Sequence, residues 1–184
     1  MMNEKKRFLH GNVRRLTYGG ILAAVILVAT VILQFPIPAL RNGYIHMGDG
    51  AIMAAAMIIG PFAAISAGLG SALADLLSGY PTYAPATLLI KGCMGLIAGL
   101  AFKRKPNMPV YQAGLWFAFC EAVMVIGYFV YETFFYALTT SPFNLIGGAA
   151  AAAAALPFNI IQGLAGVVLG LATVPLAARL RNMD

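Results

Sequence analysis

Apolar residues fall in long runs, separated by short clusters of proline, glycine and charge. The first run covers about 16–35 and is stopped by Pro36 and Pro38, since proline lacks the amide proton a helix needs. Residues 36–46, PIPALRNGYIH, read as a loop. A second run from about Met47 to Ile59 ends at Gly60-Pro61, and a third extends from about Phe62 to Ser78. Both are short for a full crossing, so the pattern expects them within the bundle or against a thinned outer face. GYPTYAP at 79–85 reads as a turn, 86–102 as a fourth run, and KRKPNMP as the next loop. The fifth run, Tyr111 to Leu138, is long enough to cross with tilt. Residues 145–177 are too long for one span, and Ala149 to Ala155 precede Leu156-Pro157. The reading there is a short helix across the outer loop, then a last span from about Pro157 to Ala177. The pattern therefore predicts an all-α membrane protein. Its core is a six-transmembrane-helix bundle over 16–178, between a basic cytoplasmic tail at 1–15 and a short cytoplasmic tail at 179–184.

Composition agrees. Of 184 residues, 61% are hydrophobic and 10% charged, against about a quarter charged in a soluble domain. At roughly 20 residues per span the length accommodates about six helices and leaves no room for a soluble catalytic domain. Energy for active transport would come from another subunit. The net charge of +6 sits at span ends. Lys5, Lys6, Arg7, Arg14 and Arg15 precede the first run, Lys103, Arg104 and Lys105 lie between two runs, and Arg179 and Arg181 follow the last. This is the positive-inside pattern, and no base-stacking aromatics interleave with it, which argues against nucleic acid. With the N-terminus inside, six spans put all three clusters on the cytoplasmic side, and only Arg41 among the flanking basic residues falls outside. Merging the second and third runs would put the Lys103–Lys105 loop outside. The first run is too long for a signal-peptide core and is read as a retained helix. Cys93 and Cys120 lie inside apolar runs and suggest neither a disulfide nor a metal site.

An ionisable group inside a span costs a few kcal/mol at least, so it faces protein or a cavity. The topology gives each such group a depth. Asp49, Asp75, Lys91, Glu132, Asn159 and Gln162, from five spans, converge on the outer half, and Glu121 lies deeper. Asp75 and Lys91 match in depth and are opposite in charge, and are read as a structural ion pair, with Lys91 also within reach of a ligand. On the fifth span Glu121, Tyr128 and Glu132 are seven and eleven residues apart. Those steps return within about 20° of the start, so the three share one stripe, with Phe135 near it. Carboxylates and aromatics on one stripe suit a small ring compound bearing amine or hydroxyl donors. The same glutamates could instead join helices. Asn159 and Gln162 share a face and offer amides to a heterocycle edge or to each other's neighbours. His46 either lines the loop over the pocket or sits at the interface. Gly163, Gly166 and Gly170 suit close approach of a neighbouring backbone.

On the first span, Gly19/Ala23 and Gly20/Ala24 form two small-xxx-small pairs, open to another helix of this chain or to a partner. No catalytic or metal-binding constellation occurs, so an enzyme is not expected. An independent secondary transporter or channel remains the alternative of another class.

Residues 44–100 resemble the substrate-binding S components of energy-coupling-factor (ECF) transporters. Within them they are most similar to the subgroup assigned to hydroxymethylpyrimidine or pyridoxine-type vitamins, and the similarity extends to the basic N-terminus and to LPFNIIQG in the last span. The resemblance implies six helices in a prokaryotic cytoplasmic membrane, with no cofactor in this chain. It implies a transmembrane coupling subunit and two ATPase subunits that use ATP, and a water-soluble vitamin captured from outside; riboflavin is the nearest rival substrate. It maps the coupling contact to Gly20 and Ala24. It draws ligand contacts from the loop after the first span and from spans four to six, in agreement with Glu132, Tyr128, Asn159 and Gln162.

Overall fold

The computed structural model describes the backbone of residues 2–36 and 44–181 and the side chains of 13–35 and 44–179. Arg41 lies outside the described residues. Helix α1 runs Met2–Ile32, so the N-terminal basic stretch is continuous with it. Strands β1 (Gln34–Pro36) and β2 (Tyr44–His46) follow, then α2 (Gly48–Ile59), a 3-10 turn (Gly60–Phe62) and α3 (Ala63–Leu77). Helix α4 spans Ala84–Arg104, α5 Val110–Thr139, α6 Leu145–Ala153 and α7 Leu156–Arg181. The protein is an all-α membrane protein apart from one small hairpin. In the hairpin Gln34 pairs with His46, Phe35 with Ile45 and Pro36 with Tyr44, antiparallel. The sequence reading made this segment a loop, because three-residue strands beside prolines are too short to show a period-two pattern.

Among the described residues five stretches are long and apolar enough to cross a membrane: Val13–Ile32, Gly48–Leu77, Ala84–Arg104, Val110–Thr139 and Leu156–Arg179. The second contains a reversal. Gly60 has φ 60° and ψ −141°, a conformation open to glycine and closed to most side chains, and Pro61 starts the 3-10 turn. Before the turn α2 runs from Thr30, against which Gly48 packs, to a depression it shares with Arg15, Phe102 and Lys103. After the turn α3 climbs back along α1. Gly19 lies against Phe62 and Ser66, and Gly70 against Ala23 and Ile26. The Ser66 hydroxyl donates to the Gly19 carbonyl at 2.8 Å.

Glycines set the helix spacing. The Cα of Gly95 faces the Ala63 carbonyl across α3 and α4, and Gly68 faces that of Leu88. Helix α6 is capped by Asn144, whose Oδ1 accepts from the Gly147 amide at 2.9 Å, and packs through Gly148 on Thr133 and Ala137 of α5. Helix α7 lies parallel to α2, with Gly166 beside Asp49 and Gly170 beside Met53. The buried core is rich in alanine and methionine, among them Met53, Met94, Met124, Ala55 and Ala98, while Ile21, Leu89, Phe119, Ile126 and Leu164 are exposed. Small residues inside and large aliphatics outside suit a bundle whose outer solvent is lipid.

A Cβ at Gly95 would lie 2.7 Å from the Ala63 carbonyl oxygen and 3.0 Å from the Ala67 Cβ. Backbone cannot rotate aside, so Gly95→Val should force α3 and α4 apart and cost about 1–3 kcal/mol. The thermal midpoint of the detergent-solubilised protein should fall accordingly. The same change at Gly20, which has nothing within 4 Å, should leave the midpoint in place.

Candidate ligand-binding site

The hairpin roofs a set of buried polar groups. β2 delivers His46 into the interior, and its Nδ1 accepts from the Gly48 amide at 3.1 Å as α2 begins. One turn of that helix holds Asp49. Lys91 Nζ of α4 donates to Asp49 Oδ1 at 2.6 Å, and both side chains have no exposed surface. Gln162 of α7 donates to Asp49 Oδ2 at 2.9 Å and accepts from the His46 backbone amide at 3.2 Å. The ion pair expected between Asp75 and Lys91 is therefore corrected to Lys91–Asp49. The Asp75 carboxylate instead accepts from the Tyr44 hydroxyl, near a second tie from Ser78 to Gln34 at 2.8 Å. Burial, and the nearby Lys91 ammonium against the opposing pull of Asp49, hold the His46 pKa down to about 4, so the ring is neutral. Burial first, then the Asp75 carboxylate, raise the Tyr44 hydroxyl far above its ordinary value.

The stripe on α5 lies opposite. Glu121, Tyr128 and Glu132 are all buried, as their spacing requires if one face of α5 points inward. The Tyr128 hydroxyl bonds Thr87 Oγ1 at 2.9 Å, and Lys91 Nζ sits 5.6 Å from the centre of its ring. Glu132 Oε1 accepts from the Tyr83 hydroxyl at 3.2 Å. Tyr83 packs edge-on against Tyr131 at 5.4 Å, and Tyr131 stacks on Phe135 at 5.8 Å. Burial above all raises the Tyr83 hydroxyl well beyond its usual pKa. Glu121 is deepest, packed against Gly163 and Gly166 of α7 beside Asp49. The two glutamates are about 16 Å apart along the helix at 1.5 Å per residue.

The sequence-based residues Lys91, His46, Gln162, Glu121, Tyr128 and Glu132 thus meet in one buried column. Asn159, three residues from Gln162, is half-buried. Several atoms in this region have no hydrogen-bond partner among the described residues, among them both oxygens of Glu121, Oε2 of Glu132, Oδ2 of Asp75 and Nδ2 of Asn159. The column offers acceptors, aromatic surface and an amide edge. Among the described residues no group of three or more histidines, cysteines or carboxylates is placed to hold a metal. Sequence reasoning missed Tyr44, Tyr83 and Thr87. Tyr44 was accessible through its position two residues before His46, on the same strand face. Gly163, Gly166 and Gly170 admit the side chains of Glu121, Asp49 and Met53, where the sequence suggested a backbone.

Residues 10–181 match the family described as the ECF-type riboflavin transporter, S component. The chain belongs to this family. It is a multi-pass protein of the prokaryotic plasma membrane and a substrate-capturing transport component. An uncharacterized protein of Pyrococcus woesei is 35% identical over 144 residues, 78% of this chain and 87% of that one. The thiamine precursor transporter HmpT of Lactococcus lactis subsp. cremoris (strain MG1363) is 31% identical over 169 residues, 91% of this chain and 90% of that one.

Removing one partner of a buried ion pair leaves the other charge uncompensated. Lys91→Met should therefore destabilise the protein by about 3–5 kcal/mol, whereas Lys91→Met with Asp49→Leu should recover much of that loss. Thermal midpoints of the two variants, read by circular dichroism in detergent, check this. Equal losses would mean that the pair does not govern stability.

Proposed function

We propose that this S component captures a small heterocyclic vitamin or precursor, of the hydroxymethylpyrimidine or pyridoxine type, in the column beneath the hairpin. The observation that carries this reading is the α5 stripe of Glu121, Tyr128 and Glu132 facing Lys91, His46 and Gln162. Aromatic faces stack on a ring and carboxylates accept from its amine or hydroxyl groups. The identity with the thiamine precursor transporter along most of both chains supports the same substrate class. The description of the matched family favours a second reading, riboflavin, a larger ligand of three fused rings.

The reversal at Gly60–Phe62 supports six spans, with α2 and α3 as separate arms. Arg15 and Lys103 line one depression, which supports a common cytoplasmic end for the N-terminus and the α4–α5 loop. Transport would draw on a transmembrane coupling subunit and two ATPase subunits, where ATP is hydrolysed. Helix α1 has two different faces. Gly19 is buried against α3, while Gly20 and Ala24 are exposed. Ala24 lies in an apolar groove of about 570 Å³ with Ile21, Val25, Val28, Ala29, Ile32 and Leu33, a surface suited to a helix of the coupling subunit.

Titration of the purified protein with hydroxymethylpyrimidine, pyridoxine, thiamine and riboflavin tests the substrate. Tightest binding to one of the first two is expected, and preference for riboflavin would install the second reading. Gly20→Leu should leave that binding unchanged and impair assembly with the coupling subunit, measured by co-purification. Unimpaired assembly would remove α1 as the docking helix.

A further inference from the structure

Glu121 is the least provided-for group in the column. The residue is 4% exposed, and neither carboxyl oxygen has a partner among the described residues. A buried acceptor left unmatched costs about 1–3 kcal/mol, and more when charged. The surroundings do not supply a donor. On the α7 side the carboxyl lies against bare backbone. A Cβ on Gly163 would be 3.1 Å from the Glu121 Cβ, and one on Gly166 would collide with Oε1. On the α2 side stands Asp49, another acceptor. The nearest cation, Lys91, is held by Asp49 at 2.6 Å, and the Gln162 amide is engaged with Asp49 and His46. Among the described residues the other unpartnered buried atoms are one oxygen each of Glu132 and Asp75, the Asn159 amide nitrogen, and the hydroxyls of Ser71 and Thr133.

We propose that Glu121 reads a donor-bearing edge of the ligand, an amino group beside a protonated ring nitrogen, and so selects an aminopyrimidine over a carbonyl-edged ring of similar size. The inference rests on the capture reading above and sharpens it. An amino group and an adjacent ring N–H present two parallel donors, which match the two oxygens of one carboxylate as a bidentate, charge-assisted pair. A pyrimidinone or flavin edge alternates carbonyl and N–H. It would set a carbonyl lone pair against a carboxylate in a site with little water, where an unpaired polar contact is costly. Pyridoxine carries hydroxyl donors but no such paired edge. The two glycines of α7 fit this role, because a side chain at Gly166 would take the place of Glu121 Oε1.

The test is calorimetric titration of the purified chain in detergent with aminohydroxymethylpyrimidine and with the counterpart in which a ring carbonyl replaces the amino group. The wild-type protein should bind the amino compound at least about tenfold tighter, the span of one charge-assisted hydrogen bond. Glu121→Gln keeps the shape and gives the site one donor and one acceptor, so the preference should fall towards parity. Gly166→Ala, whose methyl would displace the carboxyl, should narrow the preference by a second route. Equal affinity for both compounds in the wild type, or an undiminished preference in both variants, overturns the role of Glu121 while leaving capture of a pyrimidine intact. Binding of neither compound by the wild type overturns both readings.

Discussion

A lysine and an aspartate with no exposed surface, 2.6 Å apart, fix the interior of this protein. Taking two charges out of water costs several kcal/mol for each ion, and the cost is offset only where geometry and further hydrogen bonds are good. Here Gln162 supplies the second bond to Asp49 and also holds the backbone of β2 at His46. Four elements, α2, α4, α7 and the hairpin, are thereby tied at one point. Asp49 stands in the first turn of α2, directly after the hairpin strand that ends at His46. The floor and the roof of the column are set by the same pair.

Glycine does the complementary work. Where α3 and α4 pass, glycines bring backbone against backbone. Where α7 passes α5 and α2, they make room for the carboxyls of Glu121 and Asp49. A polar column inside an alanine- and methionine-rich bundle needs both uses. The helices must pack closely enough to exclude lipid, yet leave enough depth beside α7 for long acidic side chains.

Much of this was legible in the chain. The runs of apolar residues located the helices, and the seven- and eleven-residue steps from Glu121 put Glu121, Tyr128 and Glu132 on one inward face of α5. The acidic partner of Lys91 was misassigned for a physical reason. Depth had been counted from helix ends taken to be level, which set Asp75 beside Lys91. In the fold Lys91 reaches Asp49 in the first turn of α2, while Asp75 accepts from Tyr44 of the hairpin. The hairpin itself, with three residues per strand, carries too little pattern to be read. Tyr83 and Thr87 were missed for a related reason. They flank the start of α4, where turn and helix residues look alike until the neighbouring α5 is in place.

The join between α1 and the hairpin has one further consequence. A single residue, Leu33, separates the end of the helix from β1, and its carbonyl accepts from the Met47 amide on the returning chain at 3.2 Å. That leaves no slack. The buried His46, one residue before that bond, is therefore held in register with the end of α1.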